Sequence, residues 1–261
     1  KCPIIHDGRI PLSTTLSTFD TKSSPFSPDN VRGPTPWSQT LAFPAVTPSH
    51  FDAPTSKPIQ ITINEKSIFT PGTSAPQNGF RRAGLVLKNN NGNDGSNTGT
   101  VTFHWSVKIV GNKALNYTHE YLNVWHETND YNANQFSFQT GKLIGRENEG
   151  EGSDWKITDR AGKVVWRGKR SDEWQNFGVG LDYGKNTMLV YHSTGDAALT
   201  AVTKALPNNN AGGGQLQIGI LKKPTGGKDV VHEGFQSAKF EEALVYGGIF
   251  IEDSKNACVS L

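Results

Sequence analysis

No apolar run in this chain approaches the roughly 18 residues that a membrane-spanning helix needs, so the sequence offers no such span. Neither sign of charge is in excess: 26 Lys and Arg face 24 Asp and Glu. That balance argues against nucleic acid or an anionic membrane as the main partner. The HExxH pattern and the GxSxG elbow are both missing, which removes the common zinc-protease and serine-hydrolase readings. His104, His119, His126 and His192 show no local metal-ligand spacing, so neither a metal nor a cofactor is expected. The glycines of AGGGQ and GGKDVV lack the strand–loop–helix context of phosphate loops and read as turn glycines.

Met188 is the only methionine, and the numbering begins at Lys1. A missing start methionine points to removal of an N-terminal segment, by signal cleavage or by design. Cysteine is almost absent too, with only Cys2 and Cys258. A disulfide between them would tie both ends together, for a gain of at most roughly 5 kcal/mol by loop entropy. Such a bond belongs to an oxidising compartment, and it would leave no thiol for nucleophilic chemistry. Asn116-Tyr117-Thr118 is a single glycosylation sequon, consistent with a secreted glycoprotein.

A sustained helical period is also lacking, whereas strand signals are abundant. Val101, Phe103, Trp105, Val107 and Ile109 share one face of a strand, opposite Thr102, His104, Ser106 and Lys108. A second strand starts at Pro58 and alternates through Ile59, Ile61 and Ile63. Others are expected at 119–128, 135–144, 163–169, 175–182, 187–192, 215–221 and 245–252, and over the stretch NGFRRAGLVL at 78–87. Clusters such as NNNGNDGSNTG separate them. Residues 23–58, rich in Pro and Ser, read as a long ordered loop. Many short strands without a second core predict one all-β domain over 1–261, an antiparallel two-sheet sandwich with long loops.

Within HEYLNVWHETND, alternation turns Leu122 and Val124 to the core and Tyr121, Asn123, Trp125 and Glu127 to the other face. Two aromatics, an amide and a carboxylate in one row suit a carbohydrate, whose apolar CH faces and hydroxyl rings match those groups. In NGFRRAGLVL, Arg82 and Gly84 share the face opposite Ala83 and Leu85. In QLQIGILKKP, Gln215 and Gln217 face away from Leu216, Ile218 and Ile220. His192 lies in a strand apolar on both faces, and its side is ambiguous.

The pieces HDGR, QNGFRRAGL, FHWS, HEYLNVWHET, WQNF, YHSTG, LQIGILKKP and GGIFIED, in this order and spacing, resemble fungal glycoside hydrolase family 131. The resemblance implies a β-jelly roll, secretion and an interest in β-1,3/1,4-linked glucan of cell walls. It also implies two catalytic carboxylates, one matching Glu127. The other falls where this chain has Gly84, and a family histidine falls at Gln217. Hydrolysis by this family normally needs an acid and a base or nucleophile. The expectation is therefore a monomeric β-glucan-recognising protein whose hydrolysis is weakened or lost. Its site would comprise Glu127 with Arg82, Tyr121, Asn123, Trp125, His192 and Gln217. The alternative is an active enzyme, either a glucanase recruiting Asp130, Glu120 or a loop Glu of 147–151, or a lyase using Arg82 with Tyr121.

Overall fold

The computed structural model describes residues 2–28, 31–52, 54–146, 148 and 150–261. Its longer strands, in chain order, are β1 (Ile4–Asp7), β2 (Ile59–Asn64), β3 (Arg81–Val86), β4 (Thr100–Ile109), β5 (Glu120–Glu127) and β6 (Asn134–Gly141). They continue with β7 (Trp155–Asp159), β8 (Val164–Gly168), β9 (Gln175–Asp182), β10 (Thr187–Thr194), β11 (Gln215–Lys222) and β12 (Glu241–Asp253). A nine-stranded sheet runs β10-β9-β4-β12-β2, with β1 beside β12 and two-residue strands at its margins. A six-stranded sheet runs β8-β7-β6-β5-β11-β3. Pairing in both is antiparallel, so the expected two-sheet jelly roll is the architecture observed. Cys2 and Cys258 are bonded, with Cα atoms 5.7 Å apart. No described helix is long and apolar enough to cross a membrane.

Aromatic side chains join the two sheets. Trp105 of β4 stacks 6.0 Å from Phe136 of β6, and Phe177 of β9 lies 4.6 Å from Phe138. Replacing one such Phe by Ala typically costs about 3–5 kcal/mol. The outer face of β4 is buried too, because Phe51 and Phe250 cover His104 there. His104 meets Glu252 at 2.9 Å beneath them. Described residues of the segment after Ser23 pack along β3. Its Phe26 and Arg32 bridge to Leu87 and Ala83, and Gly84 N–H donates to the Val31 carbonyl at 2.9 Å. It thereby covers the open edge of β3, a position that would otherwise present unpaired backbone.

Two strands escaped the sequence reading, β1 and β7. Both are short, and β7 offers only Trp155 and Ile157 to the core. A subtler departure lies inside β5. Its register against β6 shifts between Leu122 and Val124, and its register against β11 shifts between Ile218 and Leu221. One extra residue reverses the facing of everything beyond it. Tyr121 and Val124 consequently both sit in the core, while Leu122 packs with Trp125, Phe80 and Leu221 on the free face. Tyr246, reaching from β12, donates its hydroxyl to the Gly219 carbonyl at 2.5 Å. That bond holds a backbone acceptor at the level where the ladder is irregular.

Candidate functional site

The free face of the six-stranded sheet carries a cleft of about 870 Å³. β3 supplies Arg82 and Val86, β5 supplies Leu122, Trp125 and Glu127, and β11 supplies Gln215, Gln217 and Leu221. Near the start of β3 the lining is apolar, with Phe69, Pro71, Phe80 and Val231. At the other end it is amide-rich, with Asn89, Asn90, Asn91 and Asn134 beside Tyr131. A second hollow of about 350 Å³ shares Leu122, Asn134 and Lys223 with the first. The two hollows adjoin at these residues.

Glu127 is the only carboxylate among the described residues lining the larger cleft. It is half-buried, and burial raises its pKa above the ordinary value, against the opposing pull of Arg82 and Gln217. Gln217 Nε2 donates to Glu127 Oε2. Burial lowers the Arg82 guanidinium to about 10, opposed by Glu127. Arg82 stays cationic at neutral pH. It donates to Gln77 Oε1 at 3.1 Å and lies 5.7 Å over both Phe69 and Trp125. Gly84 sits on the cleft face between Arg82 and Val86, since Ala83, Leu85 and Leu87 enter the core. A Cβ added at Gly84 would lie 3.1 Å from Gln217 Oε1 and 3.8 Å from Trp125 Cη2. One amide thus spans the gap between Glu127 and the empty position.

Arg82, Trp125, Glu127 and Gln217 come together as the sequence reading expected. Trp125 does so as a floor, only 1% exposed, rather than as an open platform. Three other residues do not join them. Tyr121 lies in the core, with its hydroxyl 2.9 Å from Glu242 Oε2, because the irregularity beside Asn123 moves it off the cleft face. Asn123 is wholly buried at that irregularity and does not line the cleft. His192 belongs to the nine-stranded sheet, where its ring lies 4.8 Å from Trp166 and 5.0 Å from Phe177. Burial lowers it to about 4, so it is neutral at pH 7.

The alternative acids fare differently. Glu120 stands seven residues from Glu127 on one strand, about 23 Å at ordinary strand rise. That exceeds the roughly 10 Å limit for a hydrolytic pair. Its Oε1 takes Lys223 at 2.6 Å and Gln139 at 3.1 Å, and its Oε2 takes Ile144 N–H at 2.7 Å. Asp130 is exposed and accepts from the Thr128 hydroxyl at 2.6 Å, which holds it below the usual carboxylate range. Glu147 and Glu149 lie outside the described residues, and Glu151 is exposed on a loop. With Tyr121 in the core, the lyase reading loses its second group.

Sequence reasoning missed Tyr131. It is 73% exposed at the rim of the cleft and adopts a left-handed backbone with φ 60°. Thr128 and Asp130 close the turn that presents it: Tyr131 N–H donates to the Thr128 carbonyl at 2.9 Å, and Asn132 N–H to Asp130 Oδ1 at 3.1 Å. The run TNDYNAN gave a turn signal that could have flagged an aromatic at its tip.

Fold and cleft define a β-jelly-roll protein with a cleft on one sheet face that is apolar at one end and amide-rich at the other. Residues 4–257 match the family model described as the glycoside hydrolase 131 catalytic N-terminal domain. The chain belongs to glycoside hydrolase family 131. It resembles in fold the catalytic domain of a family 131 β-glucanase from Podospora anserina, with TM-score 0.77 and 19% identity over 98% of this chain and 97% of that one. A family 131 catalytic domain from Coprinopsis cinerea gives TM-score 0.74 and 17% identity over 99% of this chain and 96% of that one. No curated protein matches the sequence.

Proposed function

We propose that this protein recognises a β-glucan in the larger cleft, with hydrolysis weakened or lost. The carrying observation is that Glu127 is the sole carboxylate among the described residues lining that cleft, with Gly84 facing it across Gln217. A single carboxyl forgoes the second acid or base, and such groups typically contribute 10²–10⁴ in rate. Recognition does not need the second carboxyl. It uses the amide end of the cleft for hydroxyls, its apolar end for CH faces, and Arg82 and Lys223 at polar positions between. The adjoining second hollow supports a polymeric ligand over a single sugar.

The same reading takes residues 1–261 as one domain of a secreted monomer. The Cys2–Cys258 bond and the exposed sequon asparagine Asn116 support secretion. The test is a crystal structure after soaking with laminari- and cello-oligosaccharides. Sugar density running from Phe80 towards Tyr131 is the expected result. A cleft left empty by every oligosaccharide, with no binding in calorimetry, overturns the proposal.

A further inference from the structure

Gln217 carries an oxygen that accepts nothing from the described residues. The side chain is 2% exposed, and its Nε2 donates to Glu127 Oε2. A carboxylate only accepts, so that contact fixes which end of the amide is which. The remaining atom, Oε1, is buried and has no hydrogen-bond partner among the described residues. Leaving such an acceptor unmet is unfavourable, and native structures rarely do so without a reason. Oε1 points at the space above Gly84, 3.1 Å from where a Cβ would stand.

That space is not a requirement of the backbone. Gly84 lies inside β3 and outside the left-handed region. Its neighbour across the ladder, Gly219, is different, because a Cβ there would meet the Ala83 carbonyl at 1.9 Å. Gly219 must be glycine, whereas at Gly84 a side chain would need only a shift of a few tenths of an ångström in the Gln217 amide.

We infer that the hollow over Gly84 is a hydroxyl-reading subsite, where one ring or hydroxymethyl OH of a neutral sugar enters and donates to Gln217 Oε1. This rests on the carbohydrate reading above and specifies which group of the ligand is read. The chemistry selects the class. An acceptor takes a donor, so a uronate carboxylate is disfavoured at this point by Oε1 and by the Glu127 carboxylate behind it. A cationic amino sugar is disfavoured by Arg82, which lines the same cleft. A neutral hydroxyl satisfies all three groups.

The test compares Gly84→Ala and Gly84→Ser with the wild type, using calorimetry with laminarihexaose and cellohexaose and a thermal melt of each protein. Alanine fills the hollow without offering a donor. Serine fills it and places its own hydroxyl on Oε1. Both variants are expected to lose roughly tenfold in affinity, the worth of one hydrogen bond. Gly84→Ser is also expected to melt about 2 °C higher, because it satisfies the buried acceptor. A higher melting point combined with weaker binding is a pattern that a purely structural hollow does not produce. Wild-type affinity in both variants overturns the subsite and leaves the carbohydrate reading standing. No binding of either hexasaccharide by the wild type overturns both.

Discussion

Glu120 and Glu127 stand at opposite ends of β5, both on the free face of the six-stranded sheet. Glu120 is 5% exposed, and its two oxygens take three donors, one of them the Lys223 ammonium. Three of its roughly four lone-pair sites are thus already used within the fold. Glu127 meets Gln217 and the Trp125 indole, with the Arg82 charge nearby, and burial still raises its pKa. It is half-buried and lines the larger cleft. The difference lies in the neighbours rather than in residue type or depth. A carboxylate whose hydrogen bonds are largely made within the fold holds structure together, and one left with spare capacity in a cleft is available for chemistry or binding.

The largest effect that could break this comparison is on stability. Glu120→Ala strands the Lys223 ammonium, the Gln139 amide and the Ile144 N–H, and should cost about 3 kcal/mol. For a chain of this size that lowers Tm by roughly 6–12 °C. Glu127→Gln keeps its shape and should change stability by less than about 1 kcal/mol. Thermal melts of the two variants check this, and equal losses would erase the distinction between the two ends of β5. A smaller effect sharpens the ligand side. Tyr131→Ala should weaken oligosaccharide binding by roughly three- to tenfold, the range of one aromatic contact, and Tyr131→Phe should not. Unchanged affinity in the alanine variant would remove the rim from the ligand path.

Much of the fold was legible because the apolar alternation of Val101–Val107 and Ile59–Ile63 is strict: burial follows it residue by residue in β2, and in β4 Val101, Phe103, Trp105 and Val107 all enter the core while the opposite face is covered as well. The same rule placed Arg82, Gly84 and Glu127 correctly. It failed at Tyr121 because a period of two holds only while the ladder is regular, and an irregularity near Asn123 adds one residue. The signal was Gly219, a lone glycine inside an otherwise apolar strand, which often marks such a place. His192 failed for another reason: alternation gives a face but not a sheet, and its strand joins the far one. Tyr131 was invisible to strand reasoning because it sits on a turn.

The central claim is that Gly84 leaves the site one carboxyl short, and turnover measures it most directly. A reducing-sugar assay on laminarin, lichenan and cellulose would compare wild type, Gly84→Glu and Glu127→Gln. The introduced carboxyl would face Glu127 across one amide, within the roughly 5–10 Å that glycosidases use. Gln217 Oε1 beside it favours the protonated form, and Arg82 favours the charged one, so the new group could serve in either role. Wild-type turnover is expected near background, with a rise of at least about tenfold in Gly84→Glu. Strong wild-type turnover that collapses in Glu127→Gln would contradict it, by showing that another residue already completes the pair.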